Sequence, residues 1–239
     1  MPFVAKKRGP YAWGSTEWLN NVRMINGFLN QFQITLEAQA GIIGNIHAES
    51  GMNPWRWGGD SSDPTHAYGL FQYWPGSGYT NSSVAQSYLG YGPSLSTTGE
   101  TPGETPDDGW AQMLTLVNNA LGKWYPAMWR NGWDREQYSQ EYNEYLSIVN
   151  TWAGDDSRLS FPEYCDINNA FDAGCAFFAA YEGAAVRGMF GRGDNAVNVL
   201  HYLSADVPPE PPGTVPGESK SKWIFYLRPL WWQSINRRK

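Results

Sequence analysis

Gly41-Ile42-Ile43-Gly44-Asn45-Ile46-His47-Ala48-Glu49-Ser50-Gly51-Met52-Asn53-Pro54 reads as the greater part of a helix and the turn that closes it. Upstream, Thr35 offers an N-cap. Leu36, Ala40, Ile43 and Ile46 then recur at helical steps, and Gly51 supplies the residue type that ends a helix in the left-handed conformation. Gly41 and Gly44 lie inside this segment, where bare backbone permits close packing. Glu49 falls seven residues after Ile42 and three after Ile46, on the edge of the apolar stripe. A carboxyl group there is partly withdrawn from water and sits at the negative end of the helix dipole, and both effects work against its ionisation. Glycosidic cleavage requires such an acid, because the leaving oxygen must receive a proton as the bond breaks. A surface Glu at a frayed helix end has the same local pattern.

Before this helix, Ser15 or Thr16 can cap another, on which Trp18, Val22, Ile25, Leu29 and Phe32 recur. After it, from Asn53 to about Gly109, Gly, Pro, Ser, Thr and Asp dominate, the chemistry of turns and loops and a suitable wall for a cleft. The tandem Gly-Glu-Thr-Pro at 99–102 and 103–106 suits either a flap or an unimportant insertion. Helical periodicity resumes at Trp110, Met113, Leu114, Val117 and Leu121, and again at Tyr138, Tyr142, Tyr145, Val149 and Trp152. Two further segments span Asp172 to Glu182 and Asn195 to Leu203. The expected fold is mainly α: one helical domain over residues 1–204, interrupted by a long irregular region. Residues 205–219, with five prolines, form an extended linker, and residues 220–239 a basic aromatic anchoring segment.

With 239 residues, 41% hydrophobic and 15% aromatic, the chain can bury a substantial core. Thirteen Trp and fourteen Tyr suggest that some rings line a cleft, although core packing is the default for any one of them. A net charge of −6 speaks against a general nucleic-acid binder. The last twenty residues hold six basic groups and no acid, leaving eleven basic against twenty-three acidic groups in the remainder. Trp223 to Leu227 and Leu230 to Trp232 are too apolar for a solvated tail and should dock on their own domain, on a partner protein or, third, on a membrane surface. Lys6, Lys7 and Arg8 are not followed by the apolar stretch of a signal peptide, so an extracellular substrate would be reached by another route, such as a holin or a virus particle. Cys165 and Cys175 can pair or remain as buried thiols. His47, His66 and His201 have no zinc-ligand spacing, and phosphate-binding loops and a nucleophile-elbow Ser are absent, so no cofactor is expected.

Three motifs in order, Gly-Ile-Ile-Gly-Asn to Glu-Ser-Gly-Met-Asn-Pro at 41–54, Tyr-Gly-Leu-Phe-Gln at 68–72 and Cys-Ala-Phe-Phe-Ala-Ala-Tyr-Glu at 175–182, resemble the phage tail lysozyme family, distant relatives of goose-type lysozymes and lytic transglycosylases. The resemblance covers roughly Trp18 to Leu203. It implies a muramidase acting on the N-acetylmuramic acid to N-acetylglucosamine bond of peptidoglycan, with Glu49 as general acid. It implies a place on the phage tail, with other tail proteins as partners of the C-terminal segment. A lytic transglycosylase, a released lysin, or a tail-tip structural protein that keeps a lysozyme-like domain are the alternatives. A second carboxylate, needed at roughly 6.5–9.5 Å to activate water or roughly 5 Å to act as nucleophile, is sought in Asp60 and Asp63. If neither serves, the transglycosylase reading gains, because there the sugar's own hydroxyl attacks. Tyr68 and Gln72 either contact substrate or, for Gln72, bond the backbone near Glu49. Trp57 and Trp74, bracketing the motifs with Trp55 and Tyr73, can stack on sugar faces. Tyr181 and Glu182 match the family's Tyr-Glu pair; Tyr181 either faces Glu49 or packs between helices, and Glu182 can be a loop anchor.

Overall fold

The computed structural model describes residues 3–5, 9–54, 56, 69–72, 109, 112–113, 116–117, 137–153, 159–182 and 188–205. Every regular element among them is helical. Helix α1 spans Thr16–Leu29; the Ser15 hydroxyl accepts the Trp18 amide at 3.2 Å, and Trp18, Val22, Ile25 and Leu29 face inward. Phe32 lies beyond its end and packs on Phe28, with ring centroids 5.3 Å apart. Helix α2, Leu36–Ser50, opens on Thr35, whose hydroxyl accepts the Ala38 amide at 3.1 Å, and closes on Gly51 at φ 58°.

The sequence periodicity understates α2. All positions from Ala38 to Ile46 are buried, so this helix is surrounded by protein rather than amphipathic, and Leu36, expected on the buried stripe, is 37% exposed. Two glycines in a helix cost about 1 kcal/mol each against alanine. Burial of Ile42, Ile43 and Ile46 at 0% exposure contributes about 1.5–3 kcal/mol apiece and outweighs that cost. The glycines serve contact. A Cβ on Gly41 would stand 2.7 Å from the backbone of Ala173, and one on Gly44 2.7 Å from the amide nitrogen of Ala196.

The elements that meet those glycines come late in the chain. Helix α3, Ser139–Ala153, buries Tyr145, Ile148 and Val149. A short α4, Phe161–Cys165, not foreseen from periodicity, begins with a capping box between Ser160 and Glu163 and sends the Tyr164 hydroxyl 2.7 Å to the carbonyl of Ala38. Helix α5, Ala170–Ala176, is capped by Asn169 and runs directly into a π-helical turn, Phe177–Glu182. Helix α6, Met189–Ala205, packs on both α2 and α5. Gly109, Gln112, Met113, Leu116 and Val117 are helical, as the periodicity predicts for Met113 and Val117; Trp110, Leu114 and Leu121 lie outside the described residues. So do residues 99–106 of the tandem repeat and 206–239 of the linker and anchoring segment. Cys165 and Cys175 are free and buried.

Candidate active site

Helix α2 carries its last turn out of the core, and Glu49 emerges there, its side chain 23% exposed. The turn that follows is held from several sides. Gly51 and Met52 both take positive φ, 58° and 65°. For Met52, a side chain of ordinary size, this conformation costs about 1–2 kcal/mol, and its complete burial compensates. The buried Asn21 donates to the carbonyls of Met52 and Val4, each at 2.7 Å. Asn53 donates to the carbonyl of Gly9 at 2.9 Å, and the Tyr11 amide to that of Gly51 at 3.1 Å. A strap formed by residues 9–11 thus lies across the helix end.

Beside this turn is a pocket of about 320 Å³ lined by Pro10, Tyr11, His47, Ala48, Glu49, Ser50, Gly51, Arg56 and Asn195. Its size is at the small end for a ligand site. Burial, and after it the charge of Arg192, lowers the His47 pKa from 6.5 to about 4. Its Nδ1 accepts the Trp18 indole proton at 3.0 Å, and Trp13 meets the ring edge-on at 4.1 Å. His47 is therefore a neutral acceptor at Nδ1 that leaves its proton on Nε2.

The charged centre is one that sequence reading did not assemble. Arg192 of α6 donates from Nη2 to Oε1 of Glu49, and the same nitrogen lies 3.6 Å from Oε2 of Glu182, the last residue of the π-helical turn. Its Nη1 donates to the carbonyl of Asn45 at 3.0 Å, and its guanidinium carbon lies 4.7 Å from the centre of the Phe178 ring. The guanidinium plane is pinned between two carboxyl groups. Glu182 is only 12% exposed, and among the described residues its Oε1 has no hydrogen-bond partner. Burial raises its pKa from 4.5 to about 8; the Glu49 charge adds to the rise and Arg192 opposes it. The loop-anchor role considered for Glu182 thus omits its nearest charged contact. Arg192 had a signal in the sequence: it lies four residues before Ala196 and seven before Val199, so a charge stands on the buried face of its helix and needs a partner.

Gln72 is held at φ 48°, and its amide donates to the carbonyls of Arg56, 3.0 Å, and Gly69, 2.9 Å. These bonds close the turn at 69–72. That turn is tied to the segment that follows α2 by the buried Gln112, which accepts the Leu70 amide at 2.6 Å and donates to the Pro54 carbonyl at 2.9 Å. Tyr181 is 6% exposed and stacks on Phe177 of the same π-helical turn at 4.7 Å, with Phe71 of the 69–72 turn at 6.2 Å. Asp60, Asp63, Trp57, Tyr68 and Trp74, with Trp55 and Tyr73, lie outside the described residues. Among the described residues no three metal-ligating side chains converge.

Compared with known proteins, residues 20–203 match the sequence profile described as phage tail lysozyme. A comparison with curated proteins gave no match.

Proposed function

From membership of the phage tail lysozyme family, to which this chain belongs, we infer that it is a peptidoglycan hydrolase of the phage tail that works as a muramidase, with Glu49 as the proton donor. The observation that carries this reading is the position of Glu49: a carboxyl group at the end of a helix buried from Ala38 to Ile46, on the wall of an open pocket. As the bond between N-acetylmuramic acid and N-acetylglucosamine breaks, its electron pair goes to the leaving oxygen, which takes the Glu49 proton. The electrons of the carboxyl O–H bond remain on Glu49 as a carboxylate. Water, activated by Asp60 or Asp63, completes the hydrolysis. Trp57, Trp74 and Tyr68 border the glycan, and Gln72 and Tyr181 support its bed through the turn at 69–72 and the Phe71 ring. Arg56 adds a cation to the pocket, suited to the carboxylates of the wall polymer. Beyond Ala205, which closes α6, the residues up to 219 serve as the linker, and residues 220–239 attach the enzyme to other tail proteins.

Digestion of purified peptidoglycan by the wild type and by Glu49→Gln, with mass spectrometry of the released sugars, tests this reading. Reducing-end muropeptides from the wild type and a loss of about 10²–10⁴-fold in the variant, the usual contribution of general acid catalysis, are expected. Anhydro-muramyl ends would make the enzyme a transglycosylase. Equal release by the two proteins would remove Glu49 from the chemistry.

A further inference from the structure

Glu49, Arg192 and Glu182 put two carboxyl groups on one guanidinium, in a setting where each is mostly withdrawn from water. Fully ionised, the three carry a net charge of −1; with one proton they are neutral. A low-dielectric site favours the neutral count. The geometry offers two ways to place that proton. With the proton on Glu182, the guanidinium pairs with the Glu49 carboxylate, which is the closer of its two contacts in the structure. With the proton on Glu49, the charge passes to Glu182, whose Oε2 is already 3.6 Å from Arg192.

We propose that Glu182 and Arg192 are positioning residues for the reaction: the guanidinium lies between the two carboxyls and can pair with whichever of them does not hold the proton, which leaves Glu49 able to act as the acid. This rests on Glu49 being the proton donor. Arg192 exchanges partners as the proton changes place: Glu182 releases one to solvent, Glu49 takes one up, and the number held by the cluster is unchanged. When Glu49 then gives its proton to the leaving oxygen, Arg192 is in reach of the new carboxylate and stabilises the charge that develops there. The unpartnered Oε1 of Glu182 fits this role, since no hydrogen bond among the described residues fixes that carboxyl in one ionisation state. The other titratable groups lining the pocket are His47 of α2, Tyr11 of the strap and Arg56. His47 stays neutral down to about pH 4, so it does not compete for the proton at working pH.

The pH dependence separates this role from a packing role. In the wild type the alkaline limb of the rate follows loss of the cluster's last proton, which the Glu182 environment puts near pH 8. In Glu182→Gln, whose amide keeps the shape of the neutral acid, no proton can be shared and Glu49 is left with Arg192 alone. The limb for reducing-end release from purified peptidoglycan should fall by at least one pH unit, with at least tenfold less activity at pH 8. Glu182→Asp should restore part of the shift. A uniform loss at every pH, with the limb unmoved, would overturn the proposal. A readout without activity is the carbon NMR titration of the protein labelled at glutamate Cδ. One carboxyl should titrate near pH 8 in the wild type and lower in Glu49→Gln, and a titration unchanged by that substitution would also overturn it. If the wild type cuts nothing while the two carboxyls prove coupled, the muramidase reading falls and the shared proton stands.

Discussion

Replacing Gly44 with alanine should loosen the molecule from its centre. The new methyl would stand 2.7 Å from the Ala196 nitrogen, 2.9 Å from its Cα and 3.0 Å from the Asn195 carbonyl carbon, all backbone atoms of α6. No side chain can swing away to relieve this, so α6 must withdraw by about 0.7 Å or more to regain an ordinary carbon contact. Overpacking against backbone, with no side chain to yield, falls in the upper part of the usual range, about 2–3 kcal/mol. Alanine returns up to about 1 kcal/mol of helix propensity, leaving a net loss of about 1–2 kcal/mol. For a domain of this length that is a fall in Tm of about 2–8 °C. Gly191 is the control, because a Cβ there meets nothing within 4 Å. Gly191→Ala should raise Tm slightly, by no more than about 1 kcal/mol of stability. Calorimetry of the three proteins decides the matter. Equal Tm for Gly44→Ala and wild type, or an equal fall in both variants, would refute the contact argument.

Further outcomes follow from the same geometry. Gln112→Ala strips partners from the Leu70 amide and the Pro54 carbonyl inside the protein and should cost about 2–4 kcal/mol in denaturant unfolding; a loss below 0.5 kcal/mol, on the order of a surface substitution, would mean that the bridge is dispensable. His47 has its folded pKa depressed to about 4 from 6.5, so the unfolded chain binds more protons between those values. Its contribution to stability is complete above pH 6.5 and fades as pH falls toward 4, by about 1–2 kcal/mol once solvent screening is allowed for. The stability difference between wild type and His47→Gln should therefore shrink with acidification, and a constant difference would contradict the assignment. Both thiols are buried, and burial raises the Cys165 pKa to about 12 and the Cys175 pKa further still. They should resist a thiol reagent in the native protein and react on unfolding; rapid native reaction would show either to be accessible.

Much of the scaffold is legible in the sequence, because the signals that place helix ends are local. Ser15 and Thr35 cap the helices they precede, and Gly51 ends α2 in the left-handed conformation. The glycines at 41 and 44 mark close approach before any partner is known, yet they do not say that the partners are Ala173 and Ala196. Glu49 is legible as a candidate because its helix and motif are continuous in the chain. The pair around it is not, since Arg192 comes from 143 residues away and Glu182 reaches it through a π-helical turn that α periodicity does not foresee. The same limit hides Gln112, whose two bonds join segments 58 and 42 residues distant. Short α4 is missed for a different reason: five residues are too few to display a period, and only its capping box announces it.

The strap at residues 9–11 also bears on how such an enzyme can be altered. The family profile begins at residue 20, whereas Pro10 and Tyr11 form part of the pocket wall. A fragment trimmed to the shared boundaries would keep the acid and lose one side of its cleft. The strap is held to the body by hydrogen bonds from the Asn53 side chain to the Gly9 carbonyl and from the Tyr11 amide to the Gly51 carbonyl, and by the buried Tyr11 side chain. Pro10, exposed on the pocket wall, is the position where the strap can be redrawn while the buried Tyr11 and the helix that carries Glu49 are left untouched.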